Sequence, residues 1–167
     1  MSQATPFSQF SHATHKGWFI GIAFFLRLTL GWLFLSAGWT KLSAGTWSAG
    51  AFLTASTGPF ATWFQSMAGN PFVDMLNVYG QICIGIALIV GLFVRPAAFF
   101  GFILMILYYF AQFEQNTLHG IVDEHIVYAL VFLLVFVGGF GYVWGIDGLI
   151  GRQPSLQKKA WSRWLFG

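Results

Sequence analysis

Phe25-Leu26-Arg27-Leu28-Thr29-Leu30-Gly31-Trp32-Leu33-Phe34-Leu35-Ser36-Ala37-Gly38-Trp39-Thr40-Lys41 sets two cations in an apolar run that extends over residues 17–42. About 20 mostly apolar helical residues cross a hydrocarbon core, so this run is long enough to span a bilayer. A charge inside such a span costs at least about 2.5–3.5 kcal/mol unless it finds partners or snorkels. Arg27, Gly31, Phe34, Gly38 and Lys41 recur at spacings of four, three, four and three, which puts all five on one helical stripe. Two glycines on that stripe permit close approach of a second helix. The stripe is therefore expected to face other helices and not lipid.

Outward from this run, composition fits a membrane domain. Of 167 residues, 57% are hydrophobic, 20% aromatic and only 8% charged, against roughly 25% charged in soluble domains. Residues 17–42, 71–93, 97–113 and 121–145 each have the length and apolar content of a span. The expected fold class is all-α: an integral membrane antiparallel four-helix bundle with an interfacial loop between the first two helices. Residues 1–16 form a tail, 17–147 the membrane domain and 148–167 a basic tail. The tail before Lys16 has no Lys or Arg, and the first run is too long for a secretory signal, so it reads as an uncleaved helix.

With alternating helices, Lys16, Arg95, Arg152, Lys158, Lys159 and Arg163 share one side and Lys41 alone takes the other. Positive residues collect in the cytoplasm, which places both termini and the 91–96 turn there, in a prokaryotic cytoplasmic membrane. The basic tail is an orientation and lipid-headgroup signal, and nucleic-acid binding is not expected. Cys83 is the sole cysteine, which excludes a disulfide within the chain and thiol–disulfide exchange by the chain alone. It reads as a small apolar filler.

Residues 43–70 carry no charge but contain Trp47, Phe52, Phe60, Trp63 and Phe64. Loops of that length are often functional. This one is either a packed cap on the bundle or a hydrophobic lid beside a lipid-side entrance, with a helix start at Thr57-Gly58-Pro59. In the second span Asp74, Asn77, Gln81 and Gly85 form another stripe. Gln81 lies roughly 15 Å deep and must find a hydrogen-bond partner there. Tyr108, Gln112 and Gln115 share a face of the third helix, and Glu124 and Tyr128 a face of the fourth.

These stripes gather Lys41, Asp74, Asn77, Gln81, Tyr108, Gln112, Glu114, Glu124, His125 and Tyr128 in the outer half, with Arg27 deeper. Such groups hydrogen-bond two carbonyl oxygens and move protons, as a quinone headgroup requires. Glu124 and His125 are the candidate proton-exchanging pair. Arg27, Lys41, Gln81, Tyr108, Gln112 and Tyr128 are the candidate quinone-binding residues, Arg27 and Gln81 fixing the deep end. Structural readings stand beside these: Arg27 snorkelling inward or meeting Asp147, Lys41 as an interfacial anchor, Asp123 as the N-cap of the last helix. A metal set from Glu114, His119, Asp123 and His125 is disfavoured, because Asp123 and His125 leave a helix on different faces and no His-x-x-x-His is present. No metal is expected. Haem held by His119 and His125 is weaker still.

The pattern Arg27-x-x-x-Gly31-x-x-Phe34-Leu35-x-x-Gly38-x-x-Lys41, followed by Gly85-Ile86-Ala87-Leu88-Ile89-Val90-Gly91-Leu92-x-x-Arg95, resembles the DoxX/DoxD family of four-helix membrane proteins. Thr57-Gly58-Pro59-Phe60 and Asp123-Glu124-His125-x-x-Tyr128 are similar too. The resemblance implies a membrane subunit of a quinone-linked oxidoreductase, of the thiosulfate:quinone type in the family's namesakes. It also implies a second subunit and a small anionic sulfur substrate near Lys41. The alternative is a non-catalytic membrane scaffold that recruits a soluble redox partner. A solute transporter is the weakest reading, since no broken helix or inverted repeat is visible.

Overall fold

The computed structural model describes residues 6–114 and 120–153, with side chains from Gly17 onward. The described chain is helical: α1 (Pro6–Ser43), α2 (Gly50–Thr54), α3 (Ala61–Ser66), α4 (Pro71–Val90), α5 (Val94–Ala111), α6 (Glu124–Gly138), a 3-10 turn (Phe140–Tyr142) and α7 (Ile146–Gly151). Gln115, His119 and residues 154–167 of the basic tail lie outside the described residues. Three helices are long and apolar enough to cross a membrane: Gly17–Ser43 within α1, α4 and α5.

Each boundary has a local cause. Asn70 caps α4 by accepting the Phe72 N–H, with Pro71 in the first turn, and Gly91 ends the helix at φ 73°. The next helix starts at Val94 and not at residue 97 as the sequence suggested. Its first N–H groups are satisfied from a distance, by the Asp147 carboxylate accepting from Phe93 (2.8 Å) and Val94 (2.9 Å). Pro96 then falls in the first turn, where a missing N–H costs nothing.

The fourth apolar segment is shorter than expected. Asp123 caps α6 at one end, and Gly139 in the left-handed region (φ 61°) stops it at Gly138. Its 15 residues make about 22 Å, short of the roughly 30 Å hydrocarbon core.

Helix α1 packs along α4, and α5 along α6, with a thinner α4–α5 seam. Glycines set the first contact. A Cβ on Gly85 would sit 2.5 Å from the Leu35 backbone nitrogen, and one on Gly38 would sit 2.7 Å from the Ile82 side chain. Across the other pair Gly101 receives the Phe132 ring, which stands edge-on to Phe34 with centroids 4.8 Å apart. Gly85→Ala should therefore force α1 and α4 apart and cost about 1–3 kcal/mol, read as a lower unfolding midpoint in detergent. An unchanged midpoint would mean that the two backbones are not in contact.

Leu30, Phe34, Ile84, Leu88, Met105, Phe132 and Val135 form a continuous apolar layer. On one side of it lies Arg27, 1% exposed. Its guanidinium donates to the carbonyls of Phe140 (3.0 Å) and Trp144 (3.4 Å) and lies over the Phe24 ring. A Cβ on Gly91 or Gly145 would collide with it. Asp147 is equally buried. Burial pushes its carboxyl above the usual carboxylate range, while the Val94 and Phe93 N–H groups and the Arg27 charge pull it down. Arg27 and Asp147 thus tie α1, the α4–α5 turn and the end of α6 into one knot.

Cys83 is exposed on α4 and fills no interior gap. The 43–70 segment folds as α2 and α3 over a small cluster of Ala49, Leu53, Phe64 and Ala111. Its expected helix start is displaced: Thr57 instead bridges to Gln112, Gly58 turns at φ 85°, and α3 begins at Ala61.

Candidate functional site

On the far side of the apolar layer, near the end of its span, Lys41 reaches from α1 to α4 and α5. Its Nζ donates to Asn77 Oδ1 (2.6 Å), Gln81 Oε1 (2.9 Å) and Tyr108 Oη (3.4 Å), and it lies 4.6 Å from the Trp47 ring centroid. An ammonium has donors only, so both amides must turn their oxygens to it. Their NH2 groups then face Tyr108: Asn77 Nδ2 donates to Tyr108 Oη at 2.6 Å and Gln81 Nε2 at 3.3 Å. The phenol oxygen consequently accepts from three donors. Its own hydrogen is left to donate outside the trio.

That hydrogen has somewhere to go. A cavity of about 400 Å³ opens beside the network, with Lys41, Asn77, Tyr108, Gln112, Glu124 and His125 on its polar walls. His125 meets Tyr108 edge-on, with ring centroids 5.8 Å apart. The imidazole is held from behind by Asp123, whose Oδ2 lies 2.6 Å from Nδ1. The other Asp123 oxygen accepts the Ile126 N–H at 3.0 Å. One carboxylate therefore caps α6 and orients the ring by its Nδ1. Glu124 is exposed at the cavity wall.

The covering segment is pinned at both ends. Asp74 Oδ1 accepts the Ala49 N–H at 2.7 Å, and the Thr57 N–H donates to the Ala111 carbonyl at 3.1 Å. Thr57 Oγ1 in turn accepts from the Glu114 N–H.

Of the residues singled out from sequence, Lys41, Gln81 and Tyr108 meet in one network, and Gln112, Glu124 and His125 line the cavity beside it. Arg27 and Tyr128 do not join them. Arg27 sits 14 residues before Lys41 on α1, about 21 Å along the axis and beyond the apolar layer, so it cannot fix the deep end of a site that contains Gln81. Tyr128 packs against the apolar core. Asn77 completes the network, and its signal was the stripe it shares with Gln81. The pairing of Asp123 with His125 had no such signal. Residues two apart diverge on a helix, and the bond forms because Asp123 stands outside α6 in extended backbone. Among the described residues no three His, Cys, Asp or Glu side chains gather as a metal site.

Three helices long and apolar enough to cross a bilayer point to an integral membrane protein. The chain belongs to the DoxX family, whose model matches residues 22–113. That match contains Lys41, Asn77, Gln81 and Tyr108, and stops before Asp123 and His125. No curated protein and no solved structure matches the chain.

Proposed function

We propose that this protein is the membrane subunit of a quinone-linked oxidoreductase, with its four apolar helices in an antiparallel bundle, both termini cytoplasmic and the cavity toward the outer face. The observation that carries the reading is Tyr108: its oxygen faces the donors of Asn77, Gln81 and Lys41, which turns its hydrogen away from them, and it borders a cavity that His125 also lines. Two groups that donate and exchange protons across one chamber suit a ring with two carbonyl oxygens. DoxX proteins are membrane proteins often linked to redox or quinone-related roles, which supports the same reading.

Reduction of a quinone to the quinol takes two electrons and two protons. Tyr108 holds one oxygen by its O–H, while the Lys41 charge behind the amides favours electron density building there. His125 would deliver the two protons in turn from Nε2, recovering each through Glu124 at the cavity wall, with Asp123 stabilising the charged imidazole. The electrons come from outside this chain, since one cysteine supplies no dithiol. A partner subunit that oxidises a small sulfur anion such as thiosulfate fits that need, and Lys41 would draw the anion's charge toward the outer face.

The test is direct. Purified protein should retain quinone, and a short-chain quinone analogue should raise its melting temperature in proportion to the logarithm of concentration. Absence of both effects rejects the site. The rival scaffold reading is favoured by the Arg27–Asp147 knot, which shows that part of the buried charge joins helices. Under that reading Tyr108→Phe would change neither quinone retention nor turnover with the partner.

A further inference from the structure

We infer that the ligand of the polar cavity is an amphiphile whose hydrocarbon tail occupies a second, apolar chamber under α2 and α3 and leaves sideways into the bilayer between α4 and α5. This rests on the quinone reading and adds how the ligand enters and lies.

The second chamber holds about 420 Å³, walled by the apolar side chains of Leu53, Phe64, Met67, Val73, Leu104 and Ala111. It adjoins the first. Ala49, Phe52, Asn77 and Tyr108 border both cavities, so the two meet at the Tyr108 ring, on which Phe52 packs edge-on at 5.5 Å. Tyr108 thus stands in the wall between a polar and an apolar space. A ligand polar at one end and apolar at the other matches that division.

The outer rim gives the direction of entry. Trp63, Phe72 and Leu76 border the apolar chamber and are 52%, 62% and 60% exposed. On spanning or interfacial helices such side chains meet acyl chains or headgroups, so this mouth opens to hydrocarbon. Glu124, on the wall of the polar cavity, is exposed as well. The covering segment is fixed by the Asp74–Ala49 and Thr57–Ala111 bonds. A tail drawn from the bilayer gains little transfer free energy, because it exchanges one apolar medium for another. What the chamber provides is orientation: the head reaches Tyr108 first and the tail trails behind it.

The experiment uses full-length protein in nanodiscs and two probes, a benzoquinone bearing a decyl chain and the same ring without it. Leu104→Trp fills the apolar chamber without touching a polar partner, and Val73→Phe does the same from α4 should the first variant fold poorly. Binding of the tailed probe should fall by at least about tenfold in either variant, while the tail-less probe stays within about twofold of wild type. Equal effects on both probes, or none on either, would overturn the tail chamber while leaving the quinone site standing. Release of a co-purified phospholipid by the variants, with tailed-probe binding unchanged, would assign the chamber to an ordinary acyl chain and overturn the inference. Wild-type protein that binds neither probe rejects the quinone reading itself.

Discussion

Arg27→Ala should cost about 3–5 kcal/mol of stability, the loss expected when one member of a buried ionic cluster is removed and its partners stay behind. The Phe140 and Trp144 carbonyls lose their donor, and Asp147 keeps a buried carboxyl without the opposing charge. Yield of monodisperse protein and the unfolding midpoint in mild detergent measure the effect. Arg27→Lys should recover only part of it, because a single ammonium lacks the planar fork that reaches two carbonyls at once. Whatever folded Arg27→Ala protein survives should bind quinone as wild type does. A variant that folds normally yet loses quinone would place Arg27 at the site and refute its assignment to the knot.

Lys41→Met should lower quinone affinity about 10–100-fold with the folded yield retained, a loss in the range of one charge-assisted hydrogen bond. Without the ammonium, Asn77 and Gln81 are free to rotate, and Tyr108 can spend its hydrogen on an amide oxygen instead of the ligand. Tyr108→Phe should lose a similar factor by removing the donor itself. The double variant should be little worse than either alone, since both act through one hydrogen atom. Additive losses in a binding titration would mean that Lys41 and Tyr108 touch the ligand independently. Arg27, remote from the cavity, serves as the control position in the same titration.

The knot and the network separate what helical period dictates from what packing decides. Helical period put Arg27, Gly31, Phe34, Gly38 and Lys41 on one stripe, and that stripe is turned inward, its first four members buried and Lys41 half-buried. The stripe of Asp74, Asn77, Gln81 and Gly85 likewise meets α1 and the covering segment. Period could not say that the two cations of α1 serve different ends. Both lie on the same face, and only distance along the axis, with an apolar layer between, separates a structural guanidinium from an ammonium at a cavity.

Asp147 shows the same limit from the other direction. Near the end of the described chain it reads as an interfacial acid, yet it caps α5 from more than fifty residues away, which moved that helix's start to Val94. Asp123 and His125 would diverge if both were helical; the N-cap position that the sequence already offers Asp123 holds it outside α6, and only the coordinates show that its second oxygen then meets the imidazole.

Apolar length and charge spacing in the sequence alone determined that this chain is helical, lies in a membrane and turns its polar stripes inward, because hydrocarbon penalises every unpaired backbone and side-chain polar group. Only the tertiary structure decided which stripe residues meet. Partner choice in a lipid-excluded interior depends on the axial register between helices, and the close approach at Gly38 and Gly85 sets that register between α1 and α4 to within a single turn.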